Sequence, residues 1–429
     1  MQTLLTSYKS QALFVIALWQ IGMTFSMEFL LSLTMIALIA LSLFELERKK
    51  LPGSFRLKWR SSLKENAKAF LSNKAYLAVM IPFFLVLFSC VYSTDVNYML
   101  ERLRIKLPFL VLPFAFFSMP NFDKKDLQKV FFFQLIITFI AALGVGVNYV
   151  LNFNEIIDGM FRGGVVPTPG NHIRFSLITA LSIIGGASLY WNRFKWKFSW
   201  ERPLILLMTV LLFVFIHVLS VRSGLLVLYV TIVFLLLRYI FFYRRYVIGF
   251  IAILMLLLLP VIAYYIVPSF KAKIAYMQYD IKMYLSGKGA NYSDSERLIS
   301  LQVGMEIGNE NKLLGVGAGD LRKVTKECYA TKYTDVNMRM PHNQLITVYA
   351  GTGIIGLILF LIGFFYPLIG GRRFTDALFL SIHLIIFLSF MMESTIENAV
   401  GISFYLLYLL VLLRYLCPRA NRKSNYVIE

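Results

Sequence analysis

Long apolar runs are the feature that most constrains the fold of this 429-residue chain. They recur along its whole length, and a helix of about 17–25 such residues is long enough to cross a bilayer. Charged residues make up only 15% of the chain, whereas a soluble domain carries about 25%. The sequence therefore predicts an all-α polytopic membrane protein with about twelve transmembrane helices. The predicted spans are 10–24, 27–45, 75–93, 106–118, 130–150, 174–191, 203–220, 224–242, 247–267, 345–368, 375–392 and 401–416.

The basic residues in the loops predict the orientation of the chain. Its formal net charge is +20, which would suggest nucleic-acid binding in a soluble protein but here reports sidedness. An even number of spans places both termini on one side, and the loops of that side carry about 26 Lys and Arg. The other side carries about 17, of which about 11 fall in one long loop that the positive-inside rule discounts. We predict cytoplasmic termini and no nucleic-acid partner.

Segment 268–344 is the one large region between predicted spans. On this topology it lies outside the cytoplasm, and it is smaller than a typical independent enzyme domain. We therefore expect a lid over a site at the outer membrane face. The predicted organisation is transmembrane helices one to nine in 1–267, the lid in 268–344, and helices ten to twelve with a cytoplasmic tail in 345–429. The amphipathic stretch 97–106 either extends the fourth span or, as we expect, lies along the membrane interface.

His342 is the first candidate functional residue. It stands at the mouth of the tenth predicted span, and ionisable groups near membrane depth are functional by default. An imidazole is the usual general base near neutral pH. The alternative is a histidine whose only role is to form hydrogen bonds at the membrane interface or to cap a helix.

Three arginines are predicted on the same side. Arg222 lies in a short loop between two spans, where its guanidinium suits phosphate oxygens, although snorkelling to the interface also explains it. Arg297 is unfavourable in the first turn of a helix, so it is expected either to pair with Asp294 or Glu296 or to bind an anion. Arg174, at the head of the sixth span, is either a further phosphate contact or a topological anchor.

Two glycine-rich segments do not predict nucleotide binding. "GVGAGD" (315–320) is not followed by Lys and Ser or Thr, and "GTGIIG" (351–356) lies inside an apolar span with no strand before it. Close helix packing explains the glycines of the second segment better. The chain also shows no metal-ligand spacing of His, Cys and carboxylates. We predict neither a metal nor a cofactor.

The pattern around His342 resembles the motif of the bacterial O-antigen ligase family. In that motif His-Asn is followed by nine residues, a Gly, two residues and a further small or polar residue, which here corresponds to His342, Asn343, Gly353 and Gly356. "LSVRSG" (219–224), the helix led by Arg297, "LLGVGAGD" (313–320) and "ESTIENAVGISFY" (393–405) agree with it. The resemblance covers roughly residues 160–410, and the N-terminal third is generic apolar sequence.

This resemblance implies an inverting, metal-independent glycosyltransferase with a GT-C-like membrane fold in the bacterial inner membrane. The donor would be a glycan on undecaprenyl pyrophosphate, and the acceptor a sugar hydroxyl of lipid A-core on the periplasmic face. His342 would activate that hydroxyl. Arg222 and Arg297, with Arg174 as a third, would hold the pyrophosphate.

Other functions stay open from the sequence. An O-antigen polymerase joins the same type of donor to a second lipid-linked glycan, and a protein O-oligosaccharyltransferase uses a protein acceptor. A flippase or transporter of lipid-linked glycans would also have about twelve spans. It would be expected to show charged or broken helices in the middle of the membrane, and the apolar spans here contain few.

Overall fold

A computed structural model describes residues 7–48, 55–286 and 292–418. Most of these residues are helical, because the apolar runs must satisfy their backbone hydrogen bonds internally in lipid. The helices, in chain order, are α1 Tyr8–Thr24, α2 Glu28–Leu43, α3 Leu63–Leu71, α4 Lys74–Val79, α5 Ile81–Ser89, α6 Val96–Ser118, α7 Lys124–Leu151, α8 Phe153–Phe161, α9 His172–Trp191, α10 Glu201–Leu219, α11 Arg222–Tyr243, α12 Tyr246–Ile266, α13 Pro268–Leu285, α14 Ser293–Glu310, α15 Leu321–Lys332, α16 Gln344–Ile369, α17 Ala377–Met392 and α18 Ala399–Leu416.

Seven helices in the described part of the chain are long and apolar enough to cross a membrane, namely α7, α9, α10, α11, α12, α16 and α18. Two shorter apolar helices, α2 and α17, accompany them. The fold is therefore an all-α polytopic membrane protein, as predicted. The other predicted spans correspond to α1, to the pair α4 and α5, and to α6, which are shorter or carry more charge.

Three local predictions differ from the structure. The predicted span 75–93 is two helices that meet at Met80, because Pro82 lacks a backbone N–H and suits the first turn of a new helix. The stretch 97–106 does not form a separate interfacial helix but is continuous with the fourth predicted span in α6. Antiparallel strands β1 Phe44–Arg48 and β2 Phe55–Trp59 pair with each other where a loop was expected.

The C-terminal helix α18 is the centre of the bundle. It packs against α1, α2, α6, α7, α9 and α17. Of the residues in its apolar stretch, 83% are buried, compared with 17% for α12. Side chains from three of these helices meet in a polar network, in which the Tyr408 hydroxyl donates to Gln134 Oε1 (2.7 Å) and the Gln20 amide donates to Val130 O (2.9 Å). Such bonds between helices hold a membrane bundle together where lipid provides no hydrophobic drive.

The described residues of segment 268–344, predicted as a lid, form three helices, α13, α14 and α15, before α16 begins at Gln344. α13 continues from α12 and packs against α8, α10 and α14, while α14 packs along α16. Asp280 of α13 accepts hydrogen bonds from Asp294 N (2.8 Å) and Ser295 Oγ (2.9 Å), so one helix caps the start of the next. The cytoplasmic tail predicted after α18 lies largely outside the described residues.

Candidate active site

The N-terminus of α16 fixes the position of His342. Asn343 is the N-cap residue, and its side-chain oxygen accepts from the backbone amides of Leu345 (2.8 Å) and Ile346 (3.1 Å). The amide nitrogen of the same side chain donates to Met391 O (3.1 Å) at the end of α17. An asparagine at this position starts the helix and also ties it to α17. The His-Asn pair therefore places a histidine at the junction of two helices.

Gly353 breaks α16. Its φ of 65° and ψ of −170° are not helical, and only glycine adopts this conformation without strain. The backbone of residues 312–317 lies in the break, where Ile354 N donates to Lys312 O (2.8 Å) and Val316 N donates to Ala350 O (3.0 Å). The glycine-rich loop therefore satisfies the amide and carbonyl groups that the break leaves open.

Gly356 has a different role in the same helix. A Cβ built at this position would lie 2.0 Å from Thr352 Oγ1, whereas one at Gly353 would lie 2.2 Å from the Leu313 carbonyl group. The nearest neighbours of these positions are the inserted loop for Gly353 and a side chain of the same helix for Gly356, and not the facing helix that close packing was expected to provide. Gly356 makes room for a side chain one turn earlier in its own helix, and Gly353 makes room for the inserted loop.

A carboxylate joins His342 to an arginine. His342 Nδ1 lies 3.2 Å from Glu393 Oε2, and Arg297 Nη2 donates to Glu393 Oε1 (2.8 Å). Burial alone would raise the pKa of Glu393, but the hydrogen bond and charge of His342, together with Arg297 and Arg174, hold that pKa below its ordinary value. An ionised Glu393 accepts a hydrogen bond from His342 Nδ1–H, which leaves Nε2 as the ring nitrogen that can exchange a proton.

The Glu393 contact corrects the partner expected for Arg297. Asp294 and Glu296 were the expected carboxylates, but Asp294 pairs with Arg222 and Glu296 accepts from Arg339 Nε (3.0 Å). Successive residues of a helix point in different directions, and α14 has neighbours on several sides. The Arg297 side chain consequently reaches the end of α17.

Arg222 lies at the start of α11 and forms a two-pronged pair with Asp294. Its Nη1 donates to Asp294 Oδ2 (2.6 Å), and its Nη2 contacts Oδ1. Burial alone would raise the pKa of Asp294, but Arg222, with Arg297 and Lys273, holds it below its ordinary value. A guanidinium has five N–H donors, so this pairing leaves others for an anion.

Arg222 and Arg297 share a cavity of about 150 Å³, which we call the basic cavity. Lys273 of α13 and His172 of α9 also line it. Burial and the charge of Arg222, with a further contribution from Arg297, hold the pKa of Lys273 below its ordinary value. Three basic side chains that converge on one small cavity favour an anionic ligand.

Arg174 lies outside the lining of the basic cavity. Its backbone N–H is capped by Asn171 Oδ1 at the start of α9 (3.2 Å). Its side chain is partly buried, and its charge contributes to the lowered pKa of Glu393. The structure therefore groups all three predicted arginines around the two carboxylates Asp294 and Glu393.

Two residues of this site were missed by sequence reasoning. Glu393 is an isolated acidic residue at the end of an apolar run, and Lys273 is one of several lysines in a loop-like segment. The only signal for Glu393 was its place in "ESTIENAVGISFY", and nothing in the sequence distinguished Lys273 from its neighbours.

A buried ion pair supports the segment that carries Glu393. Lys106 Nζ of α6 donates to Glu397 Oε1 (2.8 Å) and to Ile396 O (2.5 Å). Gln344, the first residue of α16, donates to the same Glu397 oxygen (2.7 Å) and accepts from Ile396 N (3.0 Å). These bonds tie residues 393–397 to two helices, and Lys106 is only 3% exposed.

Comparison with known families agrees with the motif. Residues 207–361 match the family model described as O-Antigen ligase. The matched segment contains Arg222, Arg297, His342 and both motif glycines, whereas Arg174 and Glu393 lie outside it. A comparison with curated proteins found no match. The match supports the resemblance to the O-antigen ligase family and an activity of the ligase or polymerase type.

Proposed function

We propose that this protein, whose residues 207–361 match the family model described as O-Antigen ligase, is an O-antigen ligase of the bacterial inner membrane. In this proposal it transfers a glycan from undecaprenyl pyrophosphate to a sugar hydroxyl of lipid A-core, with inversion at the anomeric carbon. The observation that carries the proposal is the line of contacts from His342 through Glu393 to Arg297, at the edge of the basic cavity.

His342 is the proposed general base. Glu393 holds the proton on Nδ1, so Nε2 accepts the proton of the acceptor hydroxyl as its oxygen attacks the anomeric carbon. The bond between that carbon and the pyrophosphate oxygen breaks with its electron pair on the leaving group. Attack from the face opposite the pyrophosphate accounts for inversion.

The basic cavity is the proposed pyrophosphate site. Undecaprenyl pyrophosphate leaves with more negative charge than it carries in the donor, so positive groups fixed around it stabilise the transition state. Arg222 and Arg297 supply guanidinium donors, Lys273 adds a third charge, and Arg174 supports the site from outside the lining. These groups provide the positive charge that a metal ion supplies in other transferases, so the proposed reaction is metal-independent.

The proposed orientation puts both termini in the cytoplasm and this site on the periplasmic face. It rests on the excess of Lys and Arg in the loops on the other side of the bundle. The donor's lipid is membrane-embedded, so a site at the end of the helices would meet its pyrophosphate at the membrane surface.

Transfer by the purified protein tests the proposal. The full-length protein in lipid nanodiscs is supplied with an undecaprenyl-pyrophosphate glycan and lipid A-core, and the product is detected as a shift of lipid A-core on a gel. We expect capped lipid A-core with wild type. Extension of the lipid-linked glycan instead would indicate a polymerase, transfer to added protein would indicate an oligosaccharyltransferase, and no transfer would overturn the proposal.

The lipopolysaccharide of a strain that lacks the protein provides a second test. A ligase predicts that all capped lipopolysaccharide is lost while lipid-linked polymer accumulates. Lipopolysaccharide that carries core plus a single repeat would overturn the ligase assignment in favour of a polymerase.

A further inference from the structure

An apolar groove lies between α7 and α10, and we call it the α7–α10 groove. Its volume is about 490 Å³, and every residue that lines it is apolar. Ala142 and Leu212 form a buried floor, while Leu143 and Val147 on the rim are more than half exposed. Gly146 also lines the groove. A Cβ built at this position would meet nothing within 4 Å, so the space beside Gly146 is open.

The groove has the length of a lipid chain. Along α7 it extends from Phe139 to Leu151, which at 1.5 Å per residue is about 18 Å. The hydrocarbon core of a bilayer is about 30 Å thick, so the groove covers more than half of one membrane thickness. A concave apolar track of this kind provides contacts along a chain that an ordinary convex helix surface does not.

The groove leads to the basic cavity. Phe215 of α10 lines the groove and Leu219, one helical turn later, lines the cavity, a separation of about 6 Å along the helix. On the other side α7 ends at Leu151 and α8 follows, whose Met160 also lines the cavity. An apolar groove that is followed in space by a basic cavity matches the apolar chain and the anionic head group of a polyprenyl pyrophosphate.

We propose that the α7–α10 groove binds the polyprenyl chain of the glycan donor while the basic cavity holds its pyrophosphate. The inference rests on the proposed function, because it takes the donor to be lipid-linked. The tail and the pyrophosphate belong to one molecule, so the contacts of the tail raise the local concentration of the head group at the site.

Two glycines on α7 provide a matched pair of variants. Gly146 lines the groove, whereas Gly144 lies two residues away and does not, and a Cβ at either position meets nothing within 4 Å. Leucine also favours a helix more than glycine does. Gly146→Leu therefore fills the groove, and Gly144→Leu adds the same side chain to the neighbouring surface.

The experiment compares an undecaprenyl-pyrophosphate glycan with a donor whose lipid is shortened to a geranyl group. Transfer to lipid A-core is measured with full-length protein in nanodiscs. Gly146→Leu is expected to raise KM for the undecaprenyl donor roughly tenfold, to leave kcat unchanged, and to change neither constant for the geranyl donor. Gly144→Leu is expected to match wild type with both.

The outcomes separate the two proposals. If wild type transfers neither glycan, the proposed function fails. If wild type transfers both and Gly146→Leu equals wild type, the groove holds only ordinary membrane lipid and the groove proposal alone fails. Equal losses with both donors would also overturn it, because they indicate general damage. Should Gly146→Leu fail to fold, Val147→Phe on the rim is expected to give the same donor-dependent rise in KM.

Discussion

His342 and Glu393 are 51 residues apart in the chain, yet His342 Nδ1 and Glu393 Oε2 lie 3.2 Å from each other. The contact brings the start of α16 to the end of α17. It occupies one nitrogen of the imidazole and leaves the other for chemistry. The second oxygen of Glu393 binds Arg297, so the proposed base and the proposed pyrophosphate site are linked through one carboxylate.

Loss of either member of this pair is expected to reduce transfer. His342→Ala removes the base and should lower kcat by about 10²–10⁴-fold. Glu393→Gln keeps the shape but holds the imidazole less firmly in the required tautomer, so a smaller loss of about tenfold or more is expected. Initial rates with saturating donor measure both effects.

Glu310→Gln is the control for this pair, since Glu310 is 65% exposed at the far end of α14 and should keep wild-type activity. A His342→Ala variant that folds and transfers glycan at the wild-type rate would exclude His342 as the base.

The lowered pKa of Glu393 predicts a pH dependence of stability. Its ordinary pKa is 4.5, and burial, which would raise it, is outweighed by His342, Arg297 and Arg174. A carboxylate whose pKa falls on folding stabilises the protein above its unfolded pKa, and this stabilisation is lost as the pH falls through the folded value. The difference in melting temperature between wild type and Glu393→Gln should therefore be present above about pH 4.5 and shrink as the pH falls below it. A difference in melting temperature that grows as the pH falls would contradict this prediction.

Local patterns singled out part of the candidate site. Asn343 was named through the resemblance of its motif. His342 was a candidate because it is an ionisable residue at the mouth of a predicted span, and Arg222 was one because a charge between two spans is rare. Their partners were not predictable, since tertiary packing alone determines that Asp294 faces Arg222 and that Glu393 faces His342.

The fold was likewise predictable in its helices but not in its tertiary contacts. Long apolar helices follow directly from hydrophobic runs, and the structure has them where expected. The break at Gly353 was not predicted, because a glycine inside an apolar run is equally consistent with close helix packing. What decides between the two is the position of residues 312–317 in space, and periodicity within α16 carries no information about that loop.

The geometry of the arginines, and not only their charge, is expected to matter for donor binding. Lysine keeps the charge but loses the planar set of donors that binds two oxygens at once. Arg222→Lys and Arg297→Lys should each raise the donor KM about tenfold, equivalent to about 1.4 kcal/mol. The inhibition constant of inorganic pyrophosphate should rise in parallel.

Arg339→Lys is the matched control for these variants. Its side chain is 53% exposed and pairs with Glu296, and it does not line the basic cavity. Its donor KM should equal that of wild type. If Arg222→Lys and Arg297→Lys also keep the wild-type KM, the basic cavity is not the pyrophosphate site.

The buried pair of Lys106 and Glu397 is expected to be a stabilising element. Burial alone would raise the pKa of Glu397, but Lys106, Gln344 and Arg102 hold it below its ordinary value. Lys106→Met removes the closest positive charge from this carboxylate but leaves Arg102 Nη1 3.5 Å from Glu397 Oε2, so the loss should stay below the roughly 3–5 kcal/mol of a buried charge without any partner. Thermal unfolding in detergent should show a loss for Lys106→Met and a partial recovery when Glu397→Gln is added. Losses for Lys106→Met and Glu397→Gln that simply add in the double variant would show that the two side chains are not coupled.

The two motif glycines should respond differently to alanine. Gly356→Ala places a Cβ 2.0 Å from Oγ1 and 2.4 Å from Cβ of Thr352, so removing both atoms with Thr352→Gly should restore much of the lost stability. Gly353→Ala places a Cβ against the Leu313 carbonyl and also has a φ of 65°, a conformation that costs about 1–3 kcal/mol for an L-residue before any clash. Thr352→Gly should not rescue it.

Melting temperatures of the two single variants and the two double variants in detergent measure this difference. Gly144→Ala on α7 provides the reference, because its Cβ meets nothing within 4 Å and the change should be neutral or stabilising. Rescue of Gly353→Ala by Thr352→Gly would mean that Gly353 serves side-chain packing and not the insertion of residues 312–317. If the rescue fails at Gly353 and succeeds at Gly356, Gly353 makes room for the backbone of residues 312–317. Gly356 then makes room for the side chain of Thr352.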